Sequence, residues 1–227
     1  MHQTSPLNVQ VLLDHCLFYL HSLHDLRCCA QVSPLWVYPA QSRIFRALQI
    51  ANTTWNHRLE VLASSLHLVL HIRTLHIHIS TDTDALATLS TICASPFTHV
   101  DAVAFAYNRL LPRADIPPLQ ALLALPTVQL VKLQCTFYDP DVDHFVRLWD
   151  QASGIRHVAL VCNIPQRSRA FGIDSLLPFP TPQGAIPLDA LHLSSTEMLD
   201  YYLLAHSRPF NLSKLKSLSI GWRARIS

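Results

Sequence analysis

The sequence predicts an α/β chain: a small N-terminal three-helix unit, then a solenoid with parallel strands on its concave face and helices on its convex face. Three observations predict it. An eight-residue phrase of strand character recurs six times between residues 72 and 222. The segments between several phrases carry apolar residues at helical spacing. Residues 6–48 have helical spacing without the phrase, and so form a separate unit.

The helices come first. Leu12, Leu13, Cys16, Leu17 and Leu20 recur at spacings of three and four, which predicts an amphipathic helix over 8–20. Asp25 is placed to cap a second helix over 26–32. Ser33-Pro34 starts a third, with serine as N-cap and proline at the first helical position, and Pro39 should kink or restart it. Residues 49–66 read as a linker whose helix, over 55–65, caps the first strand of the array; its apolar side is Leu59, Leu62 and Leu66.

The array fills residues 67–227. Its first phrase is Ile72-Arg-Thr-Leu75-His-Ile77-His-Ile79, and the others begin at Val100, Val128, Ile155, Leu188 and Leu215. The marker residues Leu75, Val103, Val131, Val158, Leu191 and Leu218 are 28, 28, 27, 33 and 27 apart. A period near 27 on an L-x-x-L-x-L core is the signature of a leucine-rich repeat. Alternation sends the fourth, sixth and eighth residues of each phrase into the core, Leu75, Ile77 and Ile79 in the first, and the third, fifth and seventh to the concave surface. That surface then carries Thr74, His76, His78, Ala102, Ala104, Ala106, Lys132, Gln134, His157, Val161, His192, Ser194 and Ser219. Helical stripes follow the strands at Leu86, Leu89, Ile92 and Cys93, at Val142, Phe145, Val146 and Trp149, and at Leu199, Tyr202, Leu203 and His206 after a Ser194-x-x-Glu197 capping box. The longest interval contains four prolines between Leu177 and Pro187, which predicts a rim loop. The phrase series ends five residues before the last residue with no capping segment, which implies an open sheet edge or a shortened form of a longer array.

Composition excludes several function classes. Half of the 227 residues are hydrophobic and 14% are charged, so the chain can bury a real core. A net charge of +2 without a run of Lys or Arg gives no footprint for nucleic acid, and four glycines with no Gly-rich loop give none for a nucleotide. No stretch is apolar enough for a membrane helix, no signal peptide opens the chain, and six cysteines then read as reduced thiols of the cytosol or nucleus.

Nothing in the sequence points to catalysis or to a cofactor. His76 and His78 alternate on one strand with His71 nearby, but no Cys or carboxylate stands at ligand spacing, and no C-x-x-C or H-E-x-x-H occurs. Cys28 and Cys29 are neighbours on a helix and point apart, which suits packing better than redox chemistry. Asp139, Asp141 and Asp143 are explained by turn and cap preferences. The expectation is therefore a non-enzyme that holds no metal. Its neutral, mildly apolar concave face suits a protein partner better than a nucleic acid or a phosphorylated ligand, which would want clustered Arg, and no membrane partner is expected.

One further resemblance is more specific. Leu26-Arg-Cys-Cys-Ala-Gln-Val32-Ser-Pro-Leu-Trp36, continuing to Arg43-Ile-Phe45-Arg, resembles the second half of an F-box in the style of large fungal families, where an F-box is often followed by leucine-rich repeats. The resemblance implies a substrate-recognition subunit of a Skp–cullin–F-box ubiquitin ligase. Pro6, Leu7, Leu12, Leu26, Val32 and Trp36 would then bind the adaptor. The repeats would bind a target protein through Thr74, His76, His78, Lys132, Gln134, His157 and His192. The family opens Leu-Pro-x-Glu where this chain has Pro6-Leu7-Asn8-Val9, which keeps an alternative in view: a leucine-rich-repeat scaffold with a degenerate F-box that recruits no ligase.

Overall fold

The structure, a computed structural model, describes residues 6–51, 62, 64–79, 89–92, 95–110, 116–136, 147–163, 185–194 and 209–221; within these, the side chains of 6–8, 108–110, 116, 136, 162 and 163 are not described. It is an α/β chain with a seven-stranded parallel sheet and a few helices.

Three helices lead. Helix α1 spans Pro6–Phe18, α2 Leu23–Val32 and α3 Pro34–Ile44. The cap of α2 is Ser22 rather than Asp25: the Ser22 hydroxyl accepts from the Asp25 amide at 3.4 Å, which places Asp25 in the first turn, where its carboxylate suits the helix dipole. Ser33 caps α3 as its sequence suggests, accepting from the Leu35 amide at 3.3 Å, with Pro34 following. Pro39 neither ends nor restarts α3. It is buried in the second turn of a continuous helix, and the Ser42 hydroxyl donates to its carbonyl at 2.8 Å. Leu17, Leu26 and Ala40 form a small core between the three helices, with Leu20, Cys29, Ala30, Trp36 and Ile44 packed against it.

The sheet begins earlier than the sequence suggests. Strand β1, Ala47–Ala51, follows α3 almost directly and pairs in parallel with β2, Thr74–Ile79. Residues 49–51 are therefore sheet and not linker, because Phe45-Arg-Ala-Leu48-Gln-Ile50 is itself a copy of the phrase, with Leu48 opposite Leu75. The helix expected over 55–65 lies almost wholly outside the described residues; Leu62 is buried, but Leu66 is exposed in the four-residue helix α4, Leu66–Val69, which turns Leu68 and Val69 inward instead. Next come β3 (Ala102–Leu110), α5 (Ile116–Leu123), β4 (Leu130–Thr136) and β5 (His157–Asn163). A short β6 (Ile186–Pro187) precedes β7 (Ala190–Leu193), and β8 (Phe210–Asn211) precedes β9 (Ser217–Ile220).

The strands lie in chain order, β1-β2-β3-β4-β5-β7-β9, all parallel. Parallel neighbours need a long connection, and a chain that adds each new strand beside the last meets that need with one phrase per period. The register keeps the period: Ala47 lies opposite Thr74, Thr74 opposite Ala102, Ala102 opposite Leu130, Leu130 opposite His157, His157 opposite Ala190, and Ala190 opposite Ser217. Just before the strands, one bonding pattern is copied throughout. The Arg46 carbonyl accepts from the amides of Arg73 and Thr74, Arg73 from Asp101 and Ala102, Asp101 from Gln129 and Leu130, and so on to Asp189, which accepts from Lys216 and Ser217. Each carbonyl at the second place of a phrase thus satisfies two amides of the next.

The core lies on one side of the sheet. Leu75, Ile77 and Ile79, Val103, Phe105 and Tyr107, Val131, Leu133 and Cys135, Val158 and Leu160, Leu191 and Leu193 are all buried, as the alternation requires. Of the helical stripes, Leu89, Ile92 and Trp149 are in this core; Leu86, Cys93, Val142, Phe145, Val146 and the stripe from Leu199 to His206 lie outside the described residues, as does Glu197 of the capping box. Helix α5 adds Leu119, Leu122 and Leu123. The last strand differs: Leu218 and Ile220, at core places of the phrase, are 53% and 37% exposed, whereas Ile50 of β1, at the other edge, is buried. The proline-rich interval is described only from Ala185, where Ile186 and Pro187 pair with β8. Pro187 is tolerated there because the ladder takes its amides from Ile186 and Leu188, one residue to either side.

Candidate functional site

Two surfaces carry the residues singled out from the sequence. The first is the helical unit. Leu13 and Leu17 of α1 turn inward, while Val11, Leu12 and Phe18 remain exposed, so α1 is apolar on more than the face its neighbours cover. Leu12 is 63% and Val32 71% exposed; Tyr19, Leu23, Leu35 and Tyr38 are also exposed. The Arg43 guanidinium donates to the Phe18 carbonyl at 2.9 Å and stands 5.2 Å over the Phe18 ring, fixing the end of α1 against α3.

This geometry sorts the six residues expected to bind an adaptor. Leu12 and Val32 are on the surface. Leu26, at 4% exposure, is not: it is the centre of the unit's own core, because the three helices close around it. Trp36 is half-buried against the same core and offers only part of its ring. Pro6 and Leu7 begin α1, and their side chains lie outside the described residues. Sequence reasoning missed Val11, Leu23, Leu35 and Tyr38. The signal was present in α1, whose apolar residues run past a single stripe.

The helical unit also touches the sheet unit. The Tyr38 ring of α3 meets the His71 ring edge-on at 4.8 Å between centroids, in the turn that leads into β2. His71 is the one buried polar or charged side chain among the described residues. Burial, with a smaller repulsion from His67, holds its pKa below the ordinary imidazole value of 6.5.

The second surface is the solvent-facing side of the sheet. Thr74, His76, His78, Lys132, Gln134, His157 and His192 all lie on it, as the alternation requires, and His76, His78, Lys132, Gln134 and His157 are well exposed. The register assembles them into rows that run across the strands. One row runs Gln49, His76, Ala104, Lys132, Ala159, His192, Ser219. The next runs Ala51, His78, Ala106, Gln134, Val161. His157 lies in a third row, opposite Leu130 and Ala190. At the rim, Lys216 Nζ is 2.9 Å from Asp189 Oδ1. That hydrogen bond is the main reason the Asp189 carboxyl titrates below its usual range, with further help from the Lys216 charge, His157 and Arg156.

Among the described residues no three His, Cys, Asp or Glu side chains gather as a metal site. Cys28 is exposed with its sulfur 3.6 Å from His24 Nε2, while Cys29 packs on the helical core, so the adjacent thiols do point apart. Asp139, Asp141 and Asp143 lie outside the described residues. No described helix is long and apolar enough to cross a membrane. Comparison with protein-family models finds no match, and comparison with curated proteins finds none either.

Proposed function

We propose that this chain is an F-box-type substrate receptor whose helical unit docks on the Skp-type adaptor of a cullin ubiquitin ligase and whose leucine-rich-repeat solenoid presents a target protein. The observation that carries the reading is the apolar surface of α1–α3: Leu12, Phe18, Leu23, Val32, Leu35 and Tyr38 stay exposed on a unit too small to bury them. Such a surface suits a stable helical partner. The repeat reading is supported by seven parallel strands in chain order and by the carbonyl ladder that joins each phrase to the next. In this reading the chemistry belongs to the ligase, in the cytosol or nucleus, and this chain supplies proximity and orientation.

Co-purification with the adaptor tests it. The full chain should retain the adaptor, and Leu12→Asp and Val32→Asp should each abolish retention while the chain stays folded, since both side chains are exposed. Leu26→Ala is a poor test because it empties the unit's core, and removal of residues 1–48 is worse because it cuts β1. A folded chain that retains no adaptor favours the second reading, a repeat scaffold that recruits no ligase. The opening Pro6-Leu7-Asn8-Val9, which lacks the family's acidic residue, speaks for that reading.

A further inference from the structure

We infer that the exposed face of the sheet binds an extended acidic peptide with a carboxylate at every third residue. This deepens the receptor reading by naming the class of target, and it rests on that reading for the consequence of binding. The central row places basic groups on alternate strands: His76 on β2, Lys132 on β4 and His192 on β7, with Ala104 and Ala159 on the strands between. Neighbouring strands lie about 4.8 Å apart, so the basic groups recur about every 10 Å across the sheet.

Across the described residues of the face there is no Asp or Glu, while His78 and His157 stand in the flanking rows. Among the described residues, the rim preceding the strands carries Arg46, Arg73, Arg156 and Lys216 against Asp101 and Asp189, and Asp189 is already held by Lys216. A polyanion is the complementary occupant. Nucleic acid is the less suitable one, because the described residues of the face offer one lysine and no arginine fork for phosphate.

The pitch selects the conformation. A ligand in β conformation repeats its side chains on one side about every 7 Å, which falls out of step with the row after one contact. A polyproline II segment brings residues i and i+3 to the same side about 9 Å apart. Its carboxylates can then meet His76, Lys132 and His192 in turn, while its backbone settles over Ala104 and Ala159. An α-helix matches the pitch at i and i+7, about 10.5 Å, but a rigid cylinder resting on His76 and Lys132 cannot descend to the alanine between them.

Fluorescence anisotropy on the full chain tests this, with labelled (Glu-Pro-Pro)4 as the probe at low salt. Binding should weaken in high salt. It should fall at least ten-fold for (Gln-Pro-Pro)4, for a peptide of equal length with Glu at every second residue, and for the double variant Lys132→Glu, His192→Glu, whose fold is checked by its melting temperature. No binding of the first probe would overturn the inference. So would binding unaffected by the double variant, or equal binding of the alternating peptide, of a helical probe with Glu at every seventh residue, or of oligo-dT. Adaptor retention by the wild-type chain reports separately on the receptor reading: retention without peptide binding removes only this inference, and peptide binding without retention removes only the receptor.

Discussion

Gly154 shows how closely adjacent phrases approach. A Cβ there would lie 2.7 Å from the Pro126 carbonyl oxygen and 2.9 Å from that of Val128, both backbone atoms that cannot step aside. Gly154→Ala should therefore destabilise the chain by about 1–3 kcal/mol, the usual cost of overpacking. Gly221 is the contrast: its Cβ would meet Ser194 Cα at an ordinary 3.7 Å, so Gly221→Ala should leave the melting temperature unchanged or raise it slightly. Paired thermal melts distinguish the two. His71 makes a different demand. Its folded pKa is lowered by burial, so the folded state prefers the neutral ring. That stabilisation is complete above the unfolded imidazole value of about 6.5 and is lost as pH falls through the lowered folded value. The chain should melt at a lower temperature at pH 5.5 than at pH 7.5. His71→Phe, which keeps a ring against Tyr38 but cannot take a charge, should lose part of that acid sensitivity; unchanged sensitivity would remove His71 from the account.

The sixth place of the phrase gives the same lesson for the strands. Ile50, Ile77, Phe105, Leu133, Leu160, Leu193 and Ile220 form one row across the sheet. Leu133→Ala, in the middle of it, should cost about 2–5 kcal/mol. Ile220→Ala should cost clearly less, because its side chain is already partly in water. Chemical denaturation of the two variants checks the order. Six of the seven main strands were legible because each phrase pairs a period of two with a long, nearly constant period. β1 was not, because Phe45 and Arg43 also fit the F-box resemblance and drew its first residues, up to Leu48, into the helical unit, while Ile50 fell to the linker. In the helices, hydrophobicity alone could not separate core from surface: Leu26 and Val32 read alike, and only the closure of three helices around one of them tells them apart. Likewise, Pro39 looked like a breaker because local rules cannot see that tertiary packing carries α3 through it. On the exposed face, alternation named the individual residues, but their alignment into rows is a property of register and became visible only in the fold.

At the scale of the molecule, two cores divide the work. One belongs to the three helices; the other runs through the sheet from Ile50 to Leu193. The chain passes from α3 to β1 within a few residues, and Tyr38 rests on His71, so the helical unit is attached to the sheet rather than hung from a linker. This leaves the apolar helical surface and the polar sheet face as separate platforms, one proposed for the ligase adaptor and one for the target. Hydrogen–deuterium exchange of the full chain, with and without the Skp-type adaptor, tests that division most directly. The account predicts new protection in residues 6–38 and none in the amides of β2, β4 and β7. Absence of protection in the helices, or protection centred on those strands, would contradict it.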